Sequence, residues 1–472
     1  MTSPAILAPA KSLRGQESEE TRQKKLVRCN CMNIERATDT FGLKELVRIG
    51  LRSTVARNAA SLYLIQFANY IVPLIMIPYL VRVLGPAGYG VVAFGQGLIN
   101  YLMLFVEYGF DWSATRKISV QRNDSKAVSV TVFYVWSAKG LLALIGFSVL
   151  LALAGIVPKL REEFLLLLIL YGLVLGNVFF PTWLFQGMER MLSISIINLG
   201  TKMVVLVGVF TLIRKPEHYL LYAGLMSFGA VLSGITGMIV SFRMFRLRFD
   251  RIKWSGVWET LKEGWVLFLS RASVSLYTAG NAFILGMLTN NTVVGYYSAA
   301  EKTVKGILSL IVPIAQVAYP RFSKLAAESW DRALFWGRRM LAMMGGIGFL
   351  LMVGVLLGAP FISALLLGPS FAPSTVVMRV LAPTIFLIAL SNVLGIQLML
   401  PLGRDKAFTL ILLGAGLLNF MLAAVLAPLW EAVGMAVAVL ISELFVTVTM
   451  FVYLRSMNVI VPNGKSRVGM EF

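Results

Sequence analysis

An apolar stretch of about 20 residues is long enough to cross a membrane as a helix. This chain repeats such a stretch along most of its length. Candidate spans fall at 59–81, 88–110, 128–155, 164–184, 191–213, 218–242, 265–289, 293–319, 340–360, 374–399, 407–428 and 431–453, which makes twelve. Lipid offers no partners for backbone N–H and C=O groups, so each span must satisfy its own as a helix. Composition closes off the soluble alternative. With 58% apolar and 14% charged residues, against about 25% charged in soluble domains, too little polar surface exists to cover a water-soluble fold. The fold class read from these features is an all-α polytopic membrane protein with twelve transmembrane helices.

Lys and Arg total 43 against 23 Asp and Glu, a net charge of +20. In a membrane chain such an excess holds loops on the cytoplasmic side. With the N-terminus inside, the inner segments carry 32 basic residues and the outer ones 5, namely Arg82, Lys159, Arg161, Arg214 and Lys215. The expected topology is multi-pass with both termini cytoplasmic. The longest inner loop separates six spans from six. The expected organisation is a basic arm over 1–58, an N-lobe over 59–242, a cytoplasmic linker over 243–264, a C-lobe over 265–453 and a cytoplasmic tail over 454–472. Within the arm, Leu43, Leu46, Val47 and Leu51 recur at helical spacing over Phe41–Asn58. That pattern reads as a helix lying on anionic lipid, or as a solvated helical linker.

The halves carry a faint repeat. Gly88-Tyr89-Gly90 opens the second span and Gly295-Tyr296-Tyr297 opens the eighth, while Gly187-x-x-Arg190 and Gly403-x-x-Lys406 follow the fourth and tenth. Six is even, so matching spans run in the same direction. The repeat is therefore expected to be parallel, two six-helix lobes related by a pseudo-two-fold axis along the membrane normal. A cleft between two such lobes suits alternating access.

Six basic residues fall inside spans: Lys139, Lys202, Arg271, Lys302, Lys305 and Arg379. At the bilayer centre each would cost about 2.5–3.5 kcal/mol. Lys139, Lys202, Lys302 and Lys305 lie too deep to snorkel and must face protein or water. Arg271 lies a quarter of the way in, and Arg379 is near enough to an end to snorkel. Glu301 can pair with Lys305 at i,i+4. Glu443 sits mid-way along the last span. Gln96, Asn100, Glu107 and Asp111, spaced 4, 7 and 4 apart, share one face of an uninterrupted helix. These carboxylates are too few to neutralise Lys139, Lys202, Arg271 and Lys302. The set reads as a water-filled cationic lumen that accepts an anion, with Lys305 as its fifth member and the second-span residues as its polar stripe. The competing reading is that the charges pair off and only hold helices together.

No P-loop occurs, and the C-x-C of Cys29 and Cys31 is too little for a zinc site. No outer loop is long enough for a catalytic domain. The expectations are a transporter rather than an enzyme, with no catalytic residue, metal, cofactor or nucleic-acid partner.

The run Leu62 to Asn69 with Tyr70-Ile71-Val72-Pro73-Leu74, then Pro78-Tyr79-Leu80-Val81-Arg82-Val83-Leu84-Gly85, resembles the opening of Wzx-type polysaccharide flippases. So do Tyr108-Gly109-Phe110, Ser113-Ala114-Thr115-Arg116 and Val294-Gly295-Tyr296-Tyr297 with Ser298 to Lys302. These proteins form part of the multidrug/oligosaccharidyl-lipid/polysaccharide exporter superfamily. The resemblance implies two lobes in a V and flipping of polyprenyl-diphosphate-linked oligosaccharide across the inner membrane. It also implies cationic lumen residues that contact the substrate, with other polysaccharide-assembly membrane proteins as partners. An inward counter-ion would be carried by Glu443 or Glu107. The alternatives are a cation-coupled multidrug exporter and, further off, a membrane polysaccharide polymerase or ligase.

Overall fold

A computed structural model describes residues 54–249, 253–278, 280–311 and 330–457. Most of the basic arm, the tail beyond Met457 and the side chain of Arg271 lie outside the described residues. Residues 62–472 form one compact unit, and every contact below falls inside it.

Among the described residues the elements are helical and no strand occurs. The α-helices of six residues or more are α1 (Thr54–Glu107), α2 (Phe110–Gln121), α3 (Ser125–Ile156), α4 (Phe164–Leu170), α5 (Gly172–Phe179), α6 (Thr182–Gly187), α7 (Met191–Leu212), α8 (Tyr219–Phe245), α9 (Trp254–Thr278), α10 (Asn281–Leu288), α11 (Asn291–Leu308), α12 (Trp330–Ile362), α13 (Ser374–Asn392) and α14 (Asp405–Ser456). Among the described residues, eight helical stretches are long and apolar enough to cross a membrane. Their outward faces suit lipid. On α12, Leu350, Leu357 and Phe361 are exposed while Val355 and Ala359 on the other side are buried.

Two helices are about twice the length that a hydrocarbon core of about 30 Å requires. Each carries a single backbone break, α1 at Gly85 (φ 67°) and α14 at Glu431 (φ 50°). In α14 the chain turns back on itself. A Cβ placed on Gly434 would meet the backbone of Leu426 and Ala427, whereas eight residues of straight helix span about 12 Å. The first break falls in the loop read at 82–87 and the second at the first residue of the twelfth candidate span. The helix runs on through Pro73 and Pro78, so the chain breaks at the glycine rather than at either proline.

Polar signals set other ends. The Asp124 carboxylate accepts from the backbone N–H of Lys126 and Ala127 to start α3, and Asn290 accepts from Val293 N–H to start α11. Tyr108 (φ 46°) and Gly109 (φ 76°) stand left-handed in succession and divide α1 from α2. α9 begins at Trp254, inside the stretch read as linker, because a helix whose first turns are amphipathic need not begin at the lipid boundary.

The halves meet along the second part of α1. At one end, near the turns at Gly85, Lys159 and Thr289, the two Gly-Tyr segments of the faint repeat lie against each other. A Cβ on Gly90 would meet Asn291 O, and one on Gly295 would meet Pro86 O, so the helices cross backbone to backbone. Lys159 Nζ donates to the carbonyls of Gly286 and Thr289, Asn291 Nδ2 donates to Glu163 Oε1 at 3.2 Å, and Arg82 Nη2 donates to Leu365 O. Burial holds the Lys159 ammonium below the ordinary lysine range, opposed by Glu162 and Glu163. Burial likewise pushes the Glu163 carboxyl up, opposed by its bond from Asn291. At the other end, where the basic loops gather, the halves also pack closely, since a Cβ on Gly109 would meet Leu267 and one on Gly264 would meet Tyr108 O. Tyr108 stacks on Phe268 at 4.9 Å, and Lys117 pairs with Glu263 at 3.2 Å in the open.

Candidate functional site

Between α1, α5, α7 and α8 of the first half lies a cavity of about 580 Å³, reached among the described residues by one side chain of the second half, Lys302. Its size is that of a small-ligand pocket rather than a pore. The wall is mostly aliphatic, with Val72, Met76, Leu80, Met103 and Val205 among its residues. Set into it are two ammonium groups, Lys202 and Lys302, and the amides of Gln96, Asn100, Asn177 and Asn198. No Asp or Glu is among its described lining residues.

Lys302 sits on α11, whose first turn is pinned by the Asn290 cap. Its Nζ donates to Gln96 Oε1 at 3.1 Å and lies 5.0 Å from the centre of the Tyr89 ring. Both partners are neutral. The amide carbonyl and the ring face hold the ammonium in place and leave its charge uncancelled. Lys202 enters from α7, one residue past the buried Thr201, whose hydroxyl bonds back to Ile197 O at 3.0 Å.

Lys139 is differently placed. It is 2% exposed, and its Nζ donates to the backbone and side-chain oxygens of Asn177, both at 3.0 Å. Asn177 Nδ2 in turn donates to Glu107 Oε1 at 2.9 Å. Lys139 and Glu107 thus stand behind the wall, joined through an amide that lines the cavity. A buried cation among oxygen acceptors is satisfied where it stands, and it fixes which way Asn177 presents its amide.

Lys305 pairs with Glu301 at 3.0 Å, the i,i+4 pairing that the spacing predicts, and Glu301 also accepts from Tyr297 at 3.2 Å. Glu443 is 5% exposed on α14, within electrostatic reach of Lys305, and does not line the cavity. The stripe read on the second span is divided. Gln96 and Asn100 line the cavity, Glu107 reaches it only through Asn177, and Asp111 belongs to α2 beyond the break at Tyr108 and Gly109. The shared face assumed an unbroken helix, and two successive left-handed residues end it. Tyr89, Asn177, Asn198 and Tyr222 line the cavity without having been singled out. Their only sequence signal is a polar atom in an apolar span, which residues that merely bond helices together share.

Residues 55–326 match the family described as polysaccharide biosynthesis protein. The chain is 30% identical over 409 residues to the "Putative O-antigen transporter" of Escherichia coli (strain K12), a match that covers 86% of this chain and 98% of the relative. It is 27% identical over 399 residues to the "Putative O-antigen transporter" of Shigella dysenteriae, covering 84% and 98%. Among solved structures it is similar in fold to the lipid II flippase MurJ in an inward closed conformation. The TM-score is 0.65 at 11% identity, covering 86% of this chain and 90% of that one. It is also similar to an inward-facing multidrug resistance MATE family transporter of the MOP superfamily. There the TM-score is 0.61 at 13% identity, covering 84% and 99%.

Proposed function

Because the chain belongs to the polysaccharide biosynthesis protein family, we propose that it flips polyprenyl-diphosphate-linked oligosaccharide from the cytoplasmic to the outer leaflet of the inner membrane. The observation that carries this reading is a cavity with two lysines and no lining carboxylate. The diphosphate would sit between Lys202 and Lys302, where each ammonium acts as a point-charge ligand for phosphate. Gln96, Asn100 and Asn198 would meet sugar hydroxyls, since an amide both donates and accepts. Lys139 would act through Asn177. Lys305 and Arg271 stay in the proposed cationic set at its margin, and Glu443 is our candidate for a coupling ion. A cation-coupled drug exporter fits the fold as well, but a cationic drug would meet two like charges in this cavity.

The twelve-span arrangement in two six-helix lobes, with both termini and the basic loops cytoplasmic, is part of the proposal. Reporter fusions after Lys159 and Pro369 should read as external, and fusions near Arg122 and Arg248 as cytoplasmic. An external reading at Arg248 would refute the arrangement.

The function itself is tested by deleting the gene and locating the lipid-linked glycan. Accumulation on the cytoplasmic leaflet, relieved by the intact gene, is the expected result. Unchanged distribution across the leaflets, with assembly blocked at a later step, would instead point to a polymerase or ligase.

A further inference from the structure

At the basic end of the first half, three loops far apart in sequence converge on a pocket of about 330 Å³. One lies between α2 and α3, one between α6 and α7, and one follows α8. Each supplies an arginine: Arg122, Arg190 and Arg246. Retaining loops on one side of a membrane requires positive charge on that side, not its collection round one cavity. Collection costs mutual repulsion, and only Arg122 is answered by a carboxylate, Glu189 at 2.8 Å. Among the described residues neither Arg190 nor Arg246 has an ion-pair partner. The rest of the lining mixes Asn123 and Ser125 with Val128, Met188, Met244 and Phe245, so the arginines share the pocket with both polar and apolar groups.

The same pair of helices, α3 and α8, continues into the bilayer past an aromatic cluster. Trp136 stacks on Phe242 at 5.6 Å, and Phe133 meets Phe249 at 5.0 Å. Beyond it lies an apolar trough of about 600 Å³, lined by Trp136, Gly140, Leu144 and Phe147 of α3, Leu175 of α5 and Met238 of α8. From Trp136 to Phe147 the trough follows eleven residues of helix, about 16 Å, which is about half of a 30 Å hydrocarbon core. Guanidinium groups, aromatic rings and an apolar trough therefore succeed one another along one helix, in the order of headgroup, interface and chain.

We propose that this surface is a binding site for an anionic glycerophospholipid of the leaflet at the basic end. Its phosphate lies between Arg190 and Arg246 and an acyl chain lies in the trough. Charge complementarity selects an anionic headgroup. The one-leaflet length selects an acyl chain, which a polyprenyl chain would overrun. The site is separate from the central cavity and does not rest on the flippase reading.

The test uses the full chain in detergent, with phosphatidylglycerol, phosphatidylcholine or polyprenyl monophosphate added. Bound lipid is read by native mass spectrometry and stability by thermal unfolding. Phosphatidylglycerol should be retained and raise the melting temperature, and phosphatidylcholine should do neither. The double variant Arg190→Gln/Arg246→Gln should lose ten-fold or more in apparent affinity for phosphatidylglycerol. Gly140→Leu is a second, independent variant. A Cβ at Gly140 meets nothing within 4 Å, so the leucine fills the trough without disturbing the packing and should also weaken retention. Wild-type retention in both variants, or equal retention of phosphatidylcholine, would overturn the site. Displacement of phosphatidylglycerol by polyprenyl monophosphate at equal concentration would overturn the choice of occupant.

Discussion

Replacing Lys302 by Gln should reduce glycan export by about ten- to a hundred-fold while leaving the amount of protein in the membrane unchanged. The magnitude is that of one hydrogen bond to a charged group, about 1.5–3 kcal/mol. The selectivity comes from its surroundings. Its fixed neighbours, Gln96 and the Tyr89 ring, are both neutral, so Gln strands no buried carboxylate and still bonds to an amide. Had Lys302 been one half of a buried pair, the same change would cost about 3–5 kcal/mol of stability and lower abundance. Lys302→Arg keeps the charge and should retain part of the activity. Export and membrane abundance, measured on the same cells, separate the outcomes. Normal export in both Lys302→Gln and Lys202→Gln would end the cationic-cavity reading, and low abundance in Lys302→Gln would assign that lysine a structural role.

The second large effect is expected at Gly295, where Val should remove nearly all export. A side chain there meets Pro86 O, with Pro86 C at 2.8 Å and Pro86 Cα at 3.1 Å. The obstacle is backbone and cannot rotate aside. Overpacking in a filled core costs about 1–3 kcal/mol, occasionally more, and this contact belongs at the upper end. The bonds of Lys159 and of Glu163 to the second half lie beside the crossing and should be lost with it. Single cysteines placed beside Thr289 should then react faster with a membrane-impermeant reagent. Gly155→Ala, at a position with nothing within 4 Å of a Cβ, is the control and should be silent. Full export by Gly295→Val would show that this close approach is not needed for transport.

Much of the architecture was legible in the chain because lipid leaves few choices. An apolar span must be a helix, and basic loops must gather on one side, so neither inference needs a tertiary contact. Half of the site was legible for a similarly local reason: Gln96 and Asn100 are four apart on one helix. The other half required the fold. Lys139 announced itself as a charge in a span, but its partner Asn177 lies 38 residues away on another helix. Asp111 left the stripe because Tyr108 takes a left-handed conformation, and nothing in its sequence neighbourhood beyond Gly109 signals that. Of the faint repeat, the Gly-Tyr segments meet, Gly90 against Asn291 and Gly295 against Pro86, whereas Gly187 packs on Ile118 and a Cβ on Gly403 would meet nothing within 4 Å.

That contact between Gly90, Pro86, Asn291 and Gly295 has a mechanical consequence. At the junction itself backbone meets backbone, while the cross-bonds of Lys159, Arg82 and Asn291 beside it tie the halves at that end, so it can serve as a fulcrum. It lies at one extremity of helices about 30 Å long. A rotation of about 20° about it would displace the far extremity by about 10 Å, by the geometry of a lever of that length. At that far extremity the halves are held by the Tyr108–Phe268 stack, the exposed Lys117–Glu263 pair and the close approach of Gly109 to Leu267 and of Gly264 to Tyr108 O, of which the surface pair is worth about 0–1 kcal/mol. Turning one half on the other about the glycines would therefore have to part these contacts before an aperture opened where the basic loops stand.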